Sequence, residues 1–260
     1  PGSACFAHLN GLVVGGALAK ALEDVCGIDK RRVALVHREE RALLESDLTP
    51  EAYYEAAMRG KKRKELRRQK NRLAEEGELS FARIEGDCDI DRWTNEFLAL
   101  ERRGWKGANG SALDCADTTR NLFRAALTGA ATRGKLERLE LRLNGHPLAM
   151  LVNFHCAPGS FSFKTAFEED YARFSPGVLL QIENLDLLTR SGIDWCDSCA
   201  AEGHPMIDSL WTGRRSIGRY SVAIGGSARR ALFGALLRAE MARGTARKPL
   251  AVPQEVGEDE

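Results

Sequence analysis

Residues 160–177 read Ser160-Phe161-Ser162-Phe163-Lys164-Thr165-Ala166-Phe167, then Glu168-Glu169-Asp170-Tyr171-Ala172-Arg173-Phe174, then Ser175-Pro176-Gly177. The pattern predicts a strand over 160–167, after the Pro158-Gly159 turn. The polar run predicts a loop, and Ser175-Pro176-Gly177 predicts the opening of a helix over 178–189. Ser175 caps, Pro176 suits the first turn, and Gly177 lets a ligand approach the backbone. A strand, a loop and an exposed helix start make an anion site, because free amides and the helix dipole point at the ligand. Ordinary capping uses the same residues, so local sequence leaves both readings open.

The flanking segments build a sheet around this stretch. Leu136, Leu139, Leu141 and Leu143 mark a strand that ends in Asn144-Gly145, a hairpin turn with a return strand over 146–155. Further strands are expected over 79–84, 192–198 and 216–223. An amphipathic helix is expected over 89–103, with Trp93, Phe97 and Leu100 on one stripe. Other helices are expected over 118–133 and 228–242. Thr49-Pro50-Glu51 is a helix start with Thr49 as cap. Near the N-terminus, 11–16 suggests a strand and turn, 17–25 a helix and 32–37 a strand. The sum is an α/β (α+β) fold, a mixed sheet flanked by helices.

The chain has 260 residues, 43% hydrophobic and 29% charged, with a formal net charge of +1. That balance excludes intrinsic disorder. No apolar run approaches the ~20 residues of a membrane span. Seven cysteines at irregular spacing point to reduced thiols and a cytoplasmic setting. Near-neutrality hides a local excess: Arg59, Lys61, Lys62, Arg63, Lys64, Arg67, Arg68, Lys70 and Arg72 are opposed only by Glu65. Such a run is either a solvated helix face burying Leu66 and Leu73, or a phosphate platform for a nucleotide-containing cofactor or RNA. No aromatics lie nearby to stack single-stranded bases.

Two further segments offer chemistry. In Trp195-Cys196-Asp197-Ser198-Cys199 the cysteine pair invites a redox or zinc reading. A redox pair sits at the start of a long helix, which Gly203 and Pro205 preclude. Zinc wants four ligands, and Cys196, Cys199 and His204 give three, with His155 or Cys156 as a distant fourth. No metal and unligated cysteines are therefore expected. Trp105-Lys106, between Gly104 and Gly107, reads as a loop tip, either presenting an aromatic or anchoring the loop.

Together these segments resemble the CelD/BcsL-like acyltransferases of the GNAT superfamily, related to the FemABX peptidyltransferases. The stretches that carry the resemblance are Lys62-Arg63-Lys64-Glu65-Leu66-Arg67-Arg68; Leu100-Glu101 through Trp105-Lys106-Gly107; the hairpin over 143–149; Phe163-Lys164-Thr165-Ala166-Phe167 with Asp170, Tyr171 and Ala172; Ser175-Pro176-Gly177; and Asp197-Ser198-Cys199-Ala200 with His204-Pro205-Met206, Leu210-Trp211 and Arg214-Arg215. The resemblance spans about 45–225.

The resemblance implies a GNAT-like splayed sheet with a cofactor cleft between two central strands. It implies a division into part of a second GNAT-like N-terminal half at 1–58 and an acyltransferase domain at 59–245; the Pro-containing, acidic composition of 246–260 predicts a disordered tail. It implies an acyl-CoA co-substrate, acetyl-CoA above all. Lys164, Arg173, Ser175, Pro176, Gly177 and Val178 would hold this donor, with Arg63 and Arg67. Asp197 is the first candidate for the base that deprotonates an amine, His204 the second, and Tyr171 the proton donor. Trp105, Lys106 and Phe163 are candidates for the acceptor, a small-molecule or saccharide amine. An aminoacyl-tRNA donor of the FemABX kind is the alternative, though no sustained heptads supply a helical arm. A non-catalytic module of envelope or polysaccharide biosynthesis is the third reading.

Overall fold

The computed structural model describes residues 4–244; the tail expected at 246–260 lies outside them. In chain order the elements are β1 (Phe6–Val13), α1 (Ala17–Ile28), β2 (Val33–Leu44), α2 (Pro50–Ala57), α3 (Gly60–Glu75), β3 (Leu79–Glu85), α4 (Ile90–Arg103), α5 (Trp105–Ala108), α6 (Asp117–Ala131), β4 (Leu136–Leu143), β5 (His146–Cys156), β6 (Gly159–Phe167), α7 (Pro176–Glu183), β7 (Trp195–Asp197), α8 (Pro205–Asp208), β8 (Gly213–Ala223) and α9 (Ser227–Gly244). Short 3-10 turns cover Leu113–Cys115, Glu169–Phe174 and Asn184–Thr189. The chain forms two compact units. One takes the described residues up to Glu40 with those from Ser216 onward, and the other is Arg41–Arg215. In the first, β1 pairs antiparallel with β8, from Phe6 opposite Ala223 to Val13 opposite Ile217.

In the second unit the last residues of β2, Leu43 and Leu44, pair antiparallel with Asp197 and Cys196 of β7. β7 runs parallel to β6, and β6, β5, β4 and β3 follow as an antiparallel series. The hairpin turn forms where Asn-Gly requires it: Asn144 and Gly145 both take positive φ, 50° and 78°. Thr49 caps α2 through Oγ1, which accepts the Ala52 N–H at 3.3 Å.

The side-chain period of two sorts β5 onto two cores. Met150 and Val152 join Trp93, Phe97 and Leu100 of α4 and Phe123 and Leu127 of α6. Ala149 and Leu151 join Leu73 of α3, Phe174, and Leu179 and Leu180 of α7. Both faces are covered, so β4 departs from the simple reading of its alternation. Glu137, Arg138 and Glu140 are buried too. They survive there through partners: Arg142 binds Glu140, and Arg138 donates to the Gly86 and Cys88 carbonyls.

Three other expectations are corrected. The helix expected over 178–189 is α only to Glu183 and 3-10 after it. The strand expected over 192–198 shrinks to three residues. Trp105-Lys106 is no loop tip but the start of the one-turn α5. The chain doubles back there so tightly that a Cβ on Gly107 would strike the Arg102 carbonyl.

Candidate active site: an open strand edge

β6 and β7 share only a short ladder, Gly159–Trp195, Ser160–Cys196 and Phe161–Asp197. Beyond it β7 ends, while β6 continues six residues to Phe167. That stretch therefore presents to the gap backbone groups that no strand pairs, as an edge strand does, with the Thr165 carbonyl taken by Lys106 Nζ.

The same stretch carries a bulge. Val152 faces Lys164 and Asn153 faces Ser162, so Phe163 is the extra residue. The bulge places Phe163 and Lys164, though consecutive, on the α4–α6 side. Phe163 lies 6.3 Å from the Phe123 ring, and Lys164 Nζ lies 2.8 Å from Glu101 Oε1. Ser162 and Thr165 turn the other way, where Gln181 Nε2 of α7 donates to Thr165 Oγ1 at 3.2 Å and to Ser162 Oγ at 3.5 Å.

Gln181 ends a buried polar chain that sequence reasoning missed. Asn184 Nδ2 donates to Gln181 Oε1, and Asn153 Nδ2 to Asn184 Oδ1 and Glu137 Oε2. Glu137 also receives Arg83 at 2.8 Å and Arg190 at 2.5 Å. Burial alone would raise the Glu137 pKa, but His155, Arg83 and Asn153 outweigh it and hold the carboxyl down to about 2. The signal available in the sequence was a pair of amides, Gln181 and Asn184, three residues apart in the mostly apolar run over 178–188.

The start of α7 stands beside the gap. Leu179 N–H bonds the Ser175 carbonyl at 3.0 Å, and Pro176 has no N–H, so Gly177 and Val178 keep the unpaired amides of the first turn. Ser175 does not cap with its side chain as expected. Its backbone is left-handed, φ 53°, and its hydroxyl makes no cap bond. Gly177 is glycine for packing: a Cβ there would lie 3.2 Å from Met206 Sδ and 3.4 Å from Phe167 Cδ1.

The cationic helix α3 shares cores with this region, Leu66 with Leu185 and Leu187, and Leu73 with Phe174 and Leu179. Each fully buried leucine contributes roughly 2 kcal/mol, which anchors a helix whose other face is charged. Arg63 and Arg67 both lie near Tyr54. Burial raises the Tyr54 pKa, and the two guanidinium charges pull it back. Arg173 binds Glu76 at 2.8 Å and lies 4.6 Å from the Phe174 ring. Unpaired amides at a helix start and arginine guanidinium groups are each donors of the kind that suit phosphate oxygens.

Asp197 lies at the apex, paired in register with Phe161. Its Oδ1 accepts the Cys199 N–H at 2.8 Å, and Oδ2 lies 3.6 Å from Arg215, whose guanidinium sits 3.5 Å over the Trp195 ring. Burial pushes Cys199 up to about 12 and raises Cys196 as well, so neither is a ready thiolate. His204 precedes α8, the helix that brings Met206 to Gly177. Tyr171 lines an open cleft of about 470 Å³ with Glu96, Arg103, His146, Glu168 and Asp170. Neither Asp197 nor His204 is among the residues that line this cleft. Lys106 reaches Glu101 Oε1 at 3.7 Å and donates to the Thr165 carbonyl at 3.1 Å, so the structure brings it together with Lys164. Among the described residues, no group of three or more His, Cys, Asp or Glu side chains could hold a metal ion. No described helix is long and apolar enough to cross a membrane.

Comparison with known proteins bears on this geometry. No curated protein matches the chain. Among solved structures, the fold is similar to FemX, at 9% identity and a TM-score of 0.58, covering 89% of this chain and 74% of that one. It is similar to a conserved protein of unknown function from Bacteroides thetaiotaomicron, at 15% identity and a TM-score of 0.52, covering 84% and 69%. It is similar to L-PGS from Bacillus licheniformis, at 14% identity and a TM-score of 0.50, covering 89% and 71%. These likenesses support the mixed, helix-flanked sheet. The model of the acetyltransferase (GNAT) domain matches residues 60–204, a span holding the open β6 edge, the start of α7 and Asp197. With more than half of its length matched, the chain belongs to the acetyltransferase (GNAT) domain family.

Proposed function

We propose that the protein is an N-acyltransferase that moves an acyl group, acetyl above all, from acyl-CoA to an amine such as an amino sugar or small metabolite. The observation that carries this reading is the open β6 edge from Ser162 to Phe167 beside the uncapped start of α7. An extended amide-bearing arm can hydrogen-bond to such an edge as an added strand would. The phosphates at its far end would meet the Gly177 and Val178 amides, with Arg63, Arg67 and Arg173 as the candidates to add charge.

In this reading Asp197 takes a proton from the acceptor amine, directly or through water. The amine forms the new C–N bond as the thioester C–S bond breaks. A backbone N–H freed at the Phe163 bulge faces the oxyanion. The departing thiolate takes a proton, for which Tyr171 is the candidate, with His204 as second base. Seven cysteines at irregular spacing support a reducing, cytoplasmic setting. We also propose residues 1–58 as part of an N-terminal GNAT-like half and 59–245 as the catalytic domain, supported by the strand–helix–strand order of β1, α1 and β2.

Calorimetry with coenzyme A and acetyl-CoA tests the reading. Binding is expected, and absence of heat with acetyl-CoA and longer acyl-CoAs would sink it. The cationic face of α3 favours one alternative, an aminoacyl-tRNA donor. Tight tRNA binding with a steep salt dependence would decide for that.

A further inference from the structure

Three features compete for a second reading. The 470 Å³ cleft has acidic walls, but Glu168 is paired with Arg103 and Glu96 with Arg142. The exposed side chains Leu18, Val25 and Ile28 line one side of α1 with nothing to show what covers them. The third feature is a buried charge cluster beside the β6 edge, and it goes further.

Glu101, in the last turn of α4, is 3% exposed. Its Oε2 accepts the Leu113 N–H at 2.8 Å, which holds the chain after α5. Its Oε1 serves two ammonium groups, Lys164 at 2.8 Å and Lys106 at 3.7 Å. Two cations thus share one oxygen. Glu169 lines the same niche, but its Oε1 is taken by the Trp105 N–H at 2.5 Å. Glu168 is bound to Arg103. Burial lowers the Lys106 pKa, Glu101 opposes this and Lys164 adds to it, so the second ammonium is poorly compensated.

The niche is small, about 20 Å³, room for the end of a group; Glu101, Lys106 and Glu169 line it, and Lys164 adjoins it through Glu101. Lys106 and Lys164 are only 26% and 20% exposed, whereas their chain neighbours Trp105 and Phe163 are 52% and 41% exposed. Large aromatics left open beside half-buried lysines suit a ligand with a ring or apolar body and an anionic end. Lys106 also touches the Thr165 carbonyl, on the stretch of β6 that β7 leaves unpaired.

We propose that Lys106 and Lys164 receive a carboxylate of the acceptor, so that the preferred acceptor is a ring-bearing amino acid or amino-sugar acid. This rests on the acyltransferase reading and assigns Lys164 to the acceptor side of β6. The test uses acceptor pairs that differ in the acid alone: benzylamine against 4-(aminomethyl)benzoate, and glucosamine against 2-amino-2-deoxyglucuronic acid. Thiol release from acetyl-CoA and calorimetry are both read on the wild-type chain. The acid member of each pair is expected to show at least tenfold higher kcat/KM, carried mostly by KM, and tenfold tighter binding. In Lys106→Met the acid-to-neutral ratio is expected to fall toward one.

Equal affinity and equal kcat/KM within both pairs on the wild-type chain would overturn the proposal, with no variant needed. An undiminished ratio in Lys106→Met would overturn it as well. If calorimetry prefers the acids while acetyl-CoA is never consumed, the donor reading fails and the anion niche stands. If acetyl-CoA is consumed without preference, the donor reading stands and the niche fails.

Discussion

Glu137 shows how one carboxylate can couple the polar layer to pH. It is fully buried and held by Arg83, Arg190 and Asn153. Its folded pKa of about 2 lies below the ordinary carboxylate value of 4.5. The stability it contributes is therefore complete above pH 4.5 and is lost as pH falls toward 2. Denaturant melts between pH 7 and pH 2 should show that loss. Glu137→Gln should cost about 3 kcal/mol at neutral pH and flatten the acid slope. Asp197 allows the opposite kind of test, one of chemistry. Asp197→Asn should lower kcat by roughly 10²-fold or more and leave acetyl-CoA affinity within a few-fold, if the carboxylate takes the amine proton. A loss confined to melting temperature would return Asp197 to its turn, where it already holds the Cys199 N–H.

At the level of elements, α3 joins two opposed demands. Its cations must stay in water or meet an anion, while Leu66 and Leu73 are fully buried. Leu73→Ala should cost about 3 kcal/mol by denaturant melt, because Leu139, Leu179 and Phe174 around it cannot all close the gap. Elements with a local signature were legible in the sequence. The Asn144-Gly145 turn, the Thr49 cap and the Trp93–Phe97–Leu100 stripe each follow from residues within about two helical turns of each other. The bulge at Phe163 was not legible, since it exists only relative to β5. Nor was the burial of Glu137, Arg138 and Glu140, because alternation shows that a strand has two faces and not that both are covered. Ser175 misled for a related reason: its identity suits a cap, but the backbone enters α7 through a left-handed residue. Of the candidate site, the helix start at Pro176-Gly177 and the cationic run of α3 were readable. The Glu101–Lys106–Lys164 cluster joins residues up to 63 apart and needed the fold.

Across the whole molecule, a net charge of +1 conceals a concentrated cationic face. The double charge reversal Arg63→Glu with Arg67→Glu should weaken coenzyme A binding tenfold or more and flatten its salt dependence, measured by calorimetry at low and moderate ionic strength. The β4–β5 turn also bears on how the molecule ages. Asn-Gly is the dipeptide at which free peptides deamidate fastest, since the glycine nitrogen attacks the asparagine side-chain carbon. Here the Asn144 side-chain oxygen is bound to the Glu78 N–H at 2.9 Å, and its backbone N–H to the Glu78 carbonyl at 2.8 Å. Gly77 packs so closely that a Cβ would run into that amide. The residues between α3 and β3 thus shield the turn from its own chemistry. Intact-mass measurements over weeks of storage should find Asn144 unchanged in the folded protein and converted to acid in the denatured chain.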